Sequence, residues 1–239
     1  MEPVLFVRND TFETFGLARS AFEPTGVRVE VFDAIDPAAP RPSLADVSGV
    51  VMFGSSHNVD ETDAHPFLKE IRDLTREAVE RGLPYLGICL GAQVLARALD
   101  RPAPLAPRRE VGFEPVRPTE AAGGDRLLSH YADGDPVFQW HQDTFELPDG
   151  AELLATGDAV PLQAYRVNDV TWGVQWHFEI DRAEVDLWLD AFSAEGDLEA
   201  TWGKSSAEVR READQHMAAH EARGAETFRR FAEVVRERS

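Results

Sequence analysis

A chain of 239 residues, 43% of them hydrophobic, is long enough for one well-cored α/β domain and leaves little for a second. Lys and Arg total 24 against 43 acidic residues, a formal charge of -19 that argues against nucleic acid or an anionic membrane as partner, since either would want a basic face. One cysteine cannot close an internal disulfide, no stretch nears the roughly 20 apolar residues of a membrane span, and the opening MEPVLFVRND lacks a signal-peptide pattern, so a cytoplasmic location is expected.

In chain order, Val4 to Val7 reads as a first strand and Thr11 to Phe22 as the helix after it. Val27 to Phe32 is the second strand candidate. A Pro- and Ala-rich loop from Pro37 to Pro42 leads to the third, Val47 to Phe53. The clearest helical stripe follows: Phe67, Leu68, Ile71, Leu74, Ala78 and Val79 share one face, with Asp63 placed to cap the start and Gly82 to end it. Pro84 to Ile88 is the next strand, and Val94 to Leu99 continue a helix beyond it. This alternation favours a mostly parallel central sheet flanked by helices.

From Pro102 the pattern turns to Pro-punctuated strands at Phe113 to Val116, Val137 to Trp140, Leu153 to Ala155, Leu162 to Val167 and Thr171 to Trp176. The tail from Asp181 to Ser239 is helical by pattern. Val185, Trp188, Leu189 and Phe192 form one stripe, and Phe228, Phe231, Ala232 and Val235 another, as a covering helix would show. No linker or repeat interrupts the chain, so a single domain over 1–239 is expected.

Two segments carry chemistry. Cys89 sits in Gly87-Ile88-Cys89-Leu90-Gly91-Ala92-Gln93, directly after an apolar run and directly before a helical pattern. Small residues two positions either side of a nucleophile permit a tight strand-to-helix turn that lifts its side chain clear of the sheet, and the helix N-terminus then favours a thiolate. Much later comes Gln175-Trp176-His177-Phe178-Glu179, whose histidine and carboxylate point the same way if the segment is extended. Together they form a candidate Cys89–His177–Glu179 triad, with Glu179 orienting His177 and His177 serving Cys89. The N–H of Leu90, next after the nucleophile, is the first candidate for an oxyanion donor.

The pair GICLGAQ and QWHFE, in that order, resembles the class I glutamine amidotransferases, with motifs G-x-C-x-G-x-Q and H-x-E. The likeness covers nearly the whole chain and is greatest to freestanding relatives of the amidotransferase domain of GMP synthase. It implies a flavodoxin-like α/β fold and hydrolysis of a γ-glutamyl amide through a thioester on Cys89. It also implies a second oxyanion donor in Phe53-Gly54-Ser55-Ser56-His57-Asn58, where Gly54 matches the family's first glycine and Ser55 stands where relatives carry the second, its backbone N–H still available. Phe178 replaces the proline of the common His-Pro-Glu form and is expected to pack under the His177 ring. Gln93 matches a glutamine that touches the substrate. Gln139 to Phe145 resembles the loop that contacts the amino-acid end of glutamine, which makes His141, Gln142 and Asp143 candidates.

A metal site built from His141, His177 and an acid shows no ligand motif, and no GxxxxGK[ST] phosphate cradle occurs, so neither metal nor other cofactor is expected. Three readings remain open. The chain is a glutaminase subunit that hands ammonia to a separate synthetase. Alternatively it is a freestanding hydrolase of larger γ-glutamyl amides, or a binding or regulatory module that keeps the fold without turnover.

Overall fold

The computed structural model describes residues 1–238, without the side chains of 194 and 195; Ser239, the last residue of the expected helical tail, lies outside the described residues. Among the described residues, nine strands form one sheet. They are β1 (Val4–Arg8), β2 (Val29–Asp33), β3 (Gly49–Met52), β4 (Tyr85–Ile88), β5 (Leu105–Pro118), β6 (Asp135–Asp143), β7 (Glu152–Gly157), β8 (Ala164–Asn168) and β9 (Thr171–Val174). Their order across the sheet is β2-β1-β3-β4-β9-β8-β7-β5-β6. The first five in that order pair in parallel, and the remaining pairings are antiparallel. The parallel part has the doubly wound order of flavodoxin-like folds, which places a crevice at the carboxyl ends of β1 and β3.

The parallel strands read as continuous apolar runs because both their faces are covered. Along β1, Val4 and Phe6 enter one core, and Leu5 and Val7 enter the other. The first core is closed by α1 (Ala18–Phe22) and the long α6 (Ser206–Arg238), through Phe22, Phe228, Phe231, Ala232 and Val235. The second is closed by α2 (Phe67–Glu80) and α3 (Leu90–Ala98). The expected tail helix is therefore a cover, with α4 (Arg182–Glu195) and the short α5 (Leu198–Trp202) preceding it. No helix among the described residues is long and apolar enough to cross a membrane.

Three local expectations change. The helix expected over Thr11 to Phe22 is limited to Ala18–Phe22. Phe15 and Gly16 take positive φ (70° and 43°), and side chains claim the local N–H groups: Glu13 accepts from Phe15 N at 2.6 Å and Glu184 from Thr14 N at 3.0 Å. Side-chain bonds of this kind compete with the helical ladder. Asp63 does not cap α2, which begins after Pro66, where fixed φ suits a helix start. Gly82 does end it, in the left-handed conformation (φ 67°). Finally, β5 and β6 run well beyond the expected cores, so His141, Gln142 and Asp143 lie on a strand end rather than in a loop.

Candidate active site

Cys89 occupies the turn between β4 and α3 with φ 50° and ψ -108°, outside the comfortable regions for an L-residue. The turn is this tight because of its glycines. A Cβ at Gly87 would press on the backbone of Gly91, and a Cβ at Gly91 would press on the carbonyl of Met52, each closer than 3.0 Å. Cys89 N donates to Val174 O at 2.8 Å, which ties the turn to β9. Leu90 is the first residue of α3, so its N–H has no intrahelical acceptor.

Three residues past the end of β9, His177 is pinned from two directions. Its N–H donates to Phe138 O at 2.9 Å, and its carbonyl is 2.9 Å from Nε2 of His220 on α6. Burial pushes His220 down to about 3, so that ring is neutral and donates. His177 Nδ1 lies 2.6 Å from Glu179 Oε1, with Glu179 fully buried. Nδ1 being taken, Nε2 is the nitrogen left for Cys89. Burial acts to lower the His177 imidazole, but Glu179 and Cys89 outweigh it and hold it well above its usual range. Phe178 does not pack under that ring. It turns into the core against Phe228 (centroids 5.0 Å), because Gly224 lets α6 approach its carbonyl, while Trp188 stands edge-on to His177 at 5.0 Å and 82°.

The loop after β3 meets the same point: a Cβ on Gly54 would come 2.9 Å from His177 Cε1 and 3.6 Å from Cys89 Cβ. That close approach requires glycine at 54. Ser55 keeps a negative φ, so its replacement of a glycine introduces no strain. The loop is held by residues the motifs did not single out. Asn9 Nδ2 donates to Phe53 O at 2.9 Å, and Asp10 Oδ2 accepts from Ser56 N (2.8 Å), Ser56 Oγ (2.7 Å) and Ser55 Oγ (3.3 Å). Burial would raise the Asp10 carboxyl, but the bonds from Ser56 and Phe12 hold it below its ordinary value. A polar pair directly after the first strand of a doubly wound pattern was the available signal.

Two further carboxylates went unnoticed in the sequence. Glu13 and Glu184 are buried next to Glu179. Burial first, then the Glu179 charge, pushes Glu13 well up and Glu184 to about 7. Both therefore bind a proton more readily than a solvated carboxylate does.

The remaining candidates form a second group. Gln93, one turn into α3, donates to Asp143 O at 3.2 Å and to Gln175 Oε1 at 3.4 Å. Gln142 is half-buried. Asp143 is buried with its Oδ1 unpartnered, and burial raises its carboxyl. Both ring nitrogens of His141 are engaged, with Asp143 O at 2.9 Å and Glu110 Oε2 at 3.0 Å, so its side chain pins the strand pair. A third group, His57, Glu61 and His65, brings possible metal-ligand atoms within 4.8 Å of one another. Its two rings stack at 3.9 Å and 29°, which aims their in-plane lone pairs alongside each other rather than at a common point.

A nucleophile in a strained turn, a buried imidazole–carboxylate pair beside it and a glycine loop against both are parts that acyl transfer needs. The family model for glutamine amidotransferase class-I matches residues 15–187. The chain belongs to the class I glutamine amidotransferase family. It is 28% identical over 179 residues to the glutamine amidotransferase-like protein YfeJ of Salmonella typhimurium, covering 74% of this chain and 75% of that one. To the glutamine-hydrolysing GMP synthase of Porphyromonas gingivalis it is 35% identical over 143 residues, 59% of this chain but only 26% of the synthase. Among solved structures, a glutamine amidotransferase from Thermotoga maritima superposes with a TM-score of 0.86 at 25% identity, covering 97% and 98% of the two chains. One from Methylobacillus flagellatus gives 0.88 at 25% identity, covering 98% and 95%. The flavodoxin-like order of the parallel strands is thus that of a class I amidotransferase-like fold.

Proposed function

We propose that this amidotransferase-family chain hydrolyses the γ-amide of glutamine or of a related γ-glutamyl amide through a thioester on Cys89. The observation that carries the reading is the strained Cys89 turn facing a His177 whose other nitrogen is bound to buried Glu179 at 2.6 Å. Cys89 Sγ attacks the γ-carbonyl after losing its proton to His177 Nε2. The oxyanion forms against the N–H groups of Leu90 and Ser55. As the C–N bond breaks, His177 returns the proton to the departing nitrogen. It then takes one from water, which attacks the thioester to give glutamate and the free thiol. Glu179 keeps the tautomer of His177 and balances its charge. Neither half-reaction calls for a cofactor.

To Gln93, Gln142 and Asp143 this reading assigns the glutamyl end, and the unpartnered Asp143 Oδ1 supports it as a partner for the ammonium. With glutamine as substrate the product is ammonia, and the likeness to GMP synthase supports delivery to a separate synthetase in the cytoplasm. The test is glutamate release from glutamine and from γ-glutamyl alkylamides, with Cys89→Ala as comparison. The expected result is a loss of at least about 10³-fold in Cys89→Ala. Full activity in that variant overturns the mechanism.

A further inference from the structure

His177 borders a cavity of about 250 Å³, shared with Gly54 and Ser55. That is far more space than a departing ammonia fills. None of Gln93, Gln142 and Asp143 lines it. A general acid must sit within hydrogen-bond reach of the nitrogen it protonates, so any substituent on that nitrogen emerges where His177 meets open space.

The lining is selective. Trp140, Trp188 and Phe192 form one wall, with Trp140 to Trp188 centroids 6.0 Å apart at 78° and Trp140 to Phe192 5.9 Å apart. Tilted rings of this kind present faces and edges to a further ring. The acidic side chains on the lining are Asp10 and Glu13, and no Lys or Arg is among the lining residues. A carboxylate entering this space would be desolvated beside Asp10, and the imidazole of His177 on the lining is already paired with Glu179.

Resting on the hydrolytic reading above, we propose that this cavity is a leaving-group subsite for an apolar, aromatic amine that carries no carboxylate. In the step it serves, the bond from Cys89 Sγ to the γ-carbon forms and the bond from that carbon to the amine nitrogen breaks. His177 supplies the proton, the arylalkylamine departs, and water releases glutamate.

The test compares four substrates: γ-L-glutamyl-phenethylamide, γ-L-glutamyl-ethylamide, γ-L-glutamylglycine and L-glutamine. The phenethylamide is expected to exceed the ethylamide in kcat/KM by about tenfold or more, the scale on which apolar pockets discriminate. The glycine conjugate is expected to be the poorest of the amides. Ala191→Phe, which places a ring in the cavity from α4, should bring the phenethylamide-to-ethylamide ratio near one. Calorimetry with the Cys89→Ala protein separates binding from chemistry. Hydrolysis with no phenethyl preference, or with the glycine conjugate favoured, overturns the subsite and leaves the mechanism standing. Tighter binding of the phenethylamide without hydrolysis of any amide supports the subsite and overturns the mechanism. Neither hydrolysis nor preferential binding removes both.

Discussion

Two turns meet at Cys89, and they are held in opposite ways. The turn at 87–91 follows β4, and the loop at 53–57 follows β3 in the neighbouring position of the sheet. The first takes its shape from its own glycines: Gly87 and Gly91 remove the Cβ atoms that would collide with the backbone at Gly91 and at Met52 of the neighbouring β3. The second takes its shape from 45 residues earlier in the chain, where Asn9 donates and Asp10 accepts the bonds that order it. A locally encoded turn shows itself as a motif. A remotely held one does not, however closely it sits to the chemistry.

The sharpest way to break the contrast is at Gly91. A methyl group there meets a backbone carbonyl that cannot swing aside, so Gly91→Ala should cost about 3 kcal/mol or more. Urea unfolding measures it. A change below about 0.5 kcal/mol would show that the turn has slack and is not set by its own glycines.

Asp10 is the corresponding site for the loop, and its effect should fall on activity instead. Asp10→Ala removes the acceptor shared by Ser55 and Ser56. A misplaced oxyanion donor costs on the order of 10- to 100-fold in kcat, with KM little changed because the donor acts on the transition state. Asp10→Asn keeps one acceptor oxygen and should recover part of the loss. An equal fall in thermal stability and in kcat for both variants would assign Asp10 a merely structural part.

The same division explains what the sequence made legible. The β1, β3, β4 and β9 strands and the α2 stripe were readable because buried parallel strands and amphipathic helices advertise themselves by composition and period. The positions of Cys89, His177 and Glu179 were readable because each motif is local, and the sheet order then brings β4 beside β9. The stretch from Thr11 to Leu17 was misread as helix because its bonds are long-range: Leu17 N reaches Glu179 O at 2.8 Å, and Thr14 reaches Glu184. Glu184, inside a helical stripe, carried no sign that it would be buried. His141 looked free for a ligand because Glu110, its partner across the β5–β6 pair, lies 31 residues away.

Glu184 also tests how tightly that remote segment is coupled to the triad strand. Its folded value of about 7 stands above the ordinary 4.5 because burial and Glu179 disfavour the charge. The folded state therefore binds the proton more strongly than the unfolded chain. Its contribution is fully favourable below pH 4.5, is lost as pH rises toward 7, and stays lost above. Removing the charge should abolish this slope, so Glu184→Gln should gain stability at pH 8, on the order of 2–3 kcal/mol, and little at pH 4.5. Denaturant unfolding at the two pH values reads it; equal effects at both would mean that Glu184 does not hold its proton in the folded protein.

The smallest effect is expected at Ser55. If glycine freedom shaped the loop, restoring a glycine at 55 would improve it. Ser55 instead lies at negative φ, and its side chain contributes one bond to Asp10 at 3.3 Å and accepts one from His57 N at 3.2 Å. Ser55→Gly deletes both and adds backbone entropy to the unfolded chain, a loss of about 0.5–1 kcal/mol. The N–H that would face the oxyanion remains, and Ser56 still anchors the loop on Asp10 with two shorter bonds. Activity should then change less than about threefold, roughly the 0.6 kcal/mol that thermal energy itself represents. A gain of tenfold would return the loop to the locally encoded class, and a tenfold loss would give the Ser55 hydroxyl a part in holding substrate.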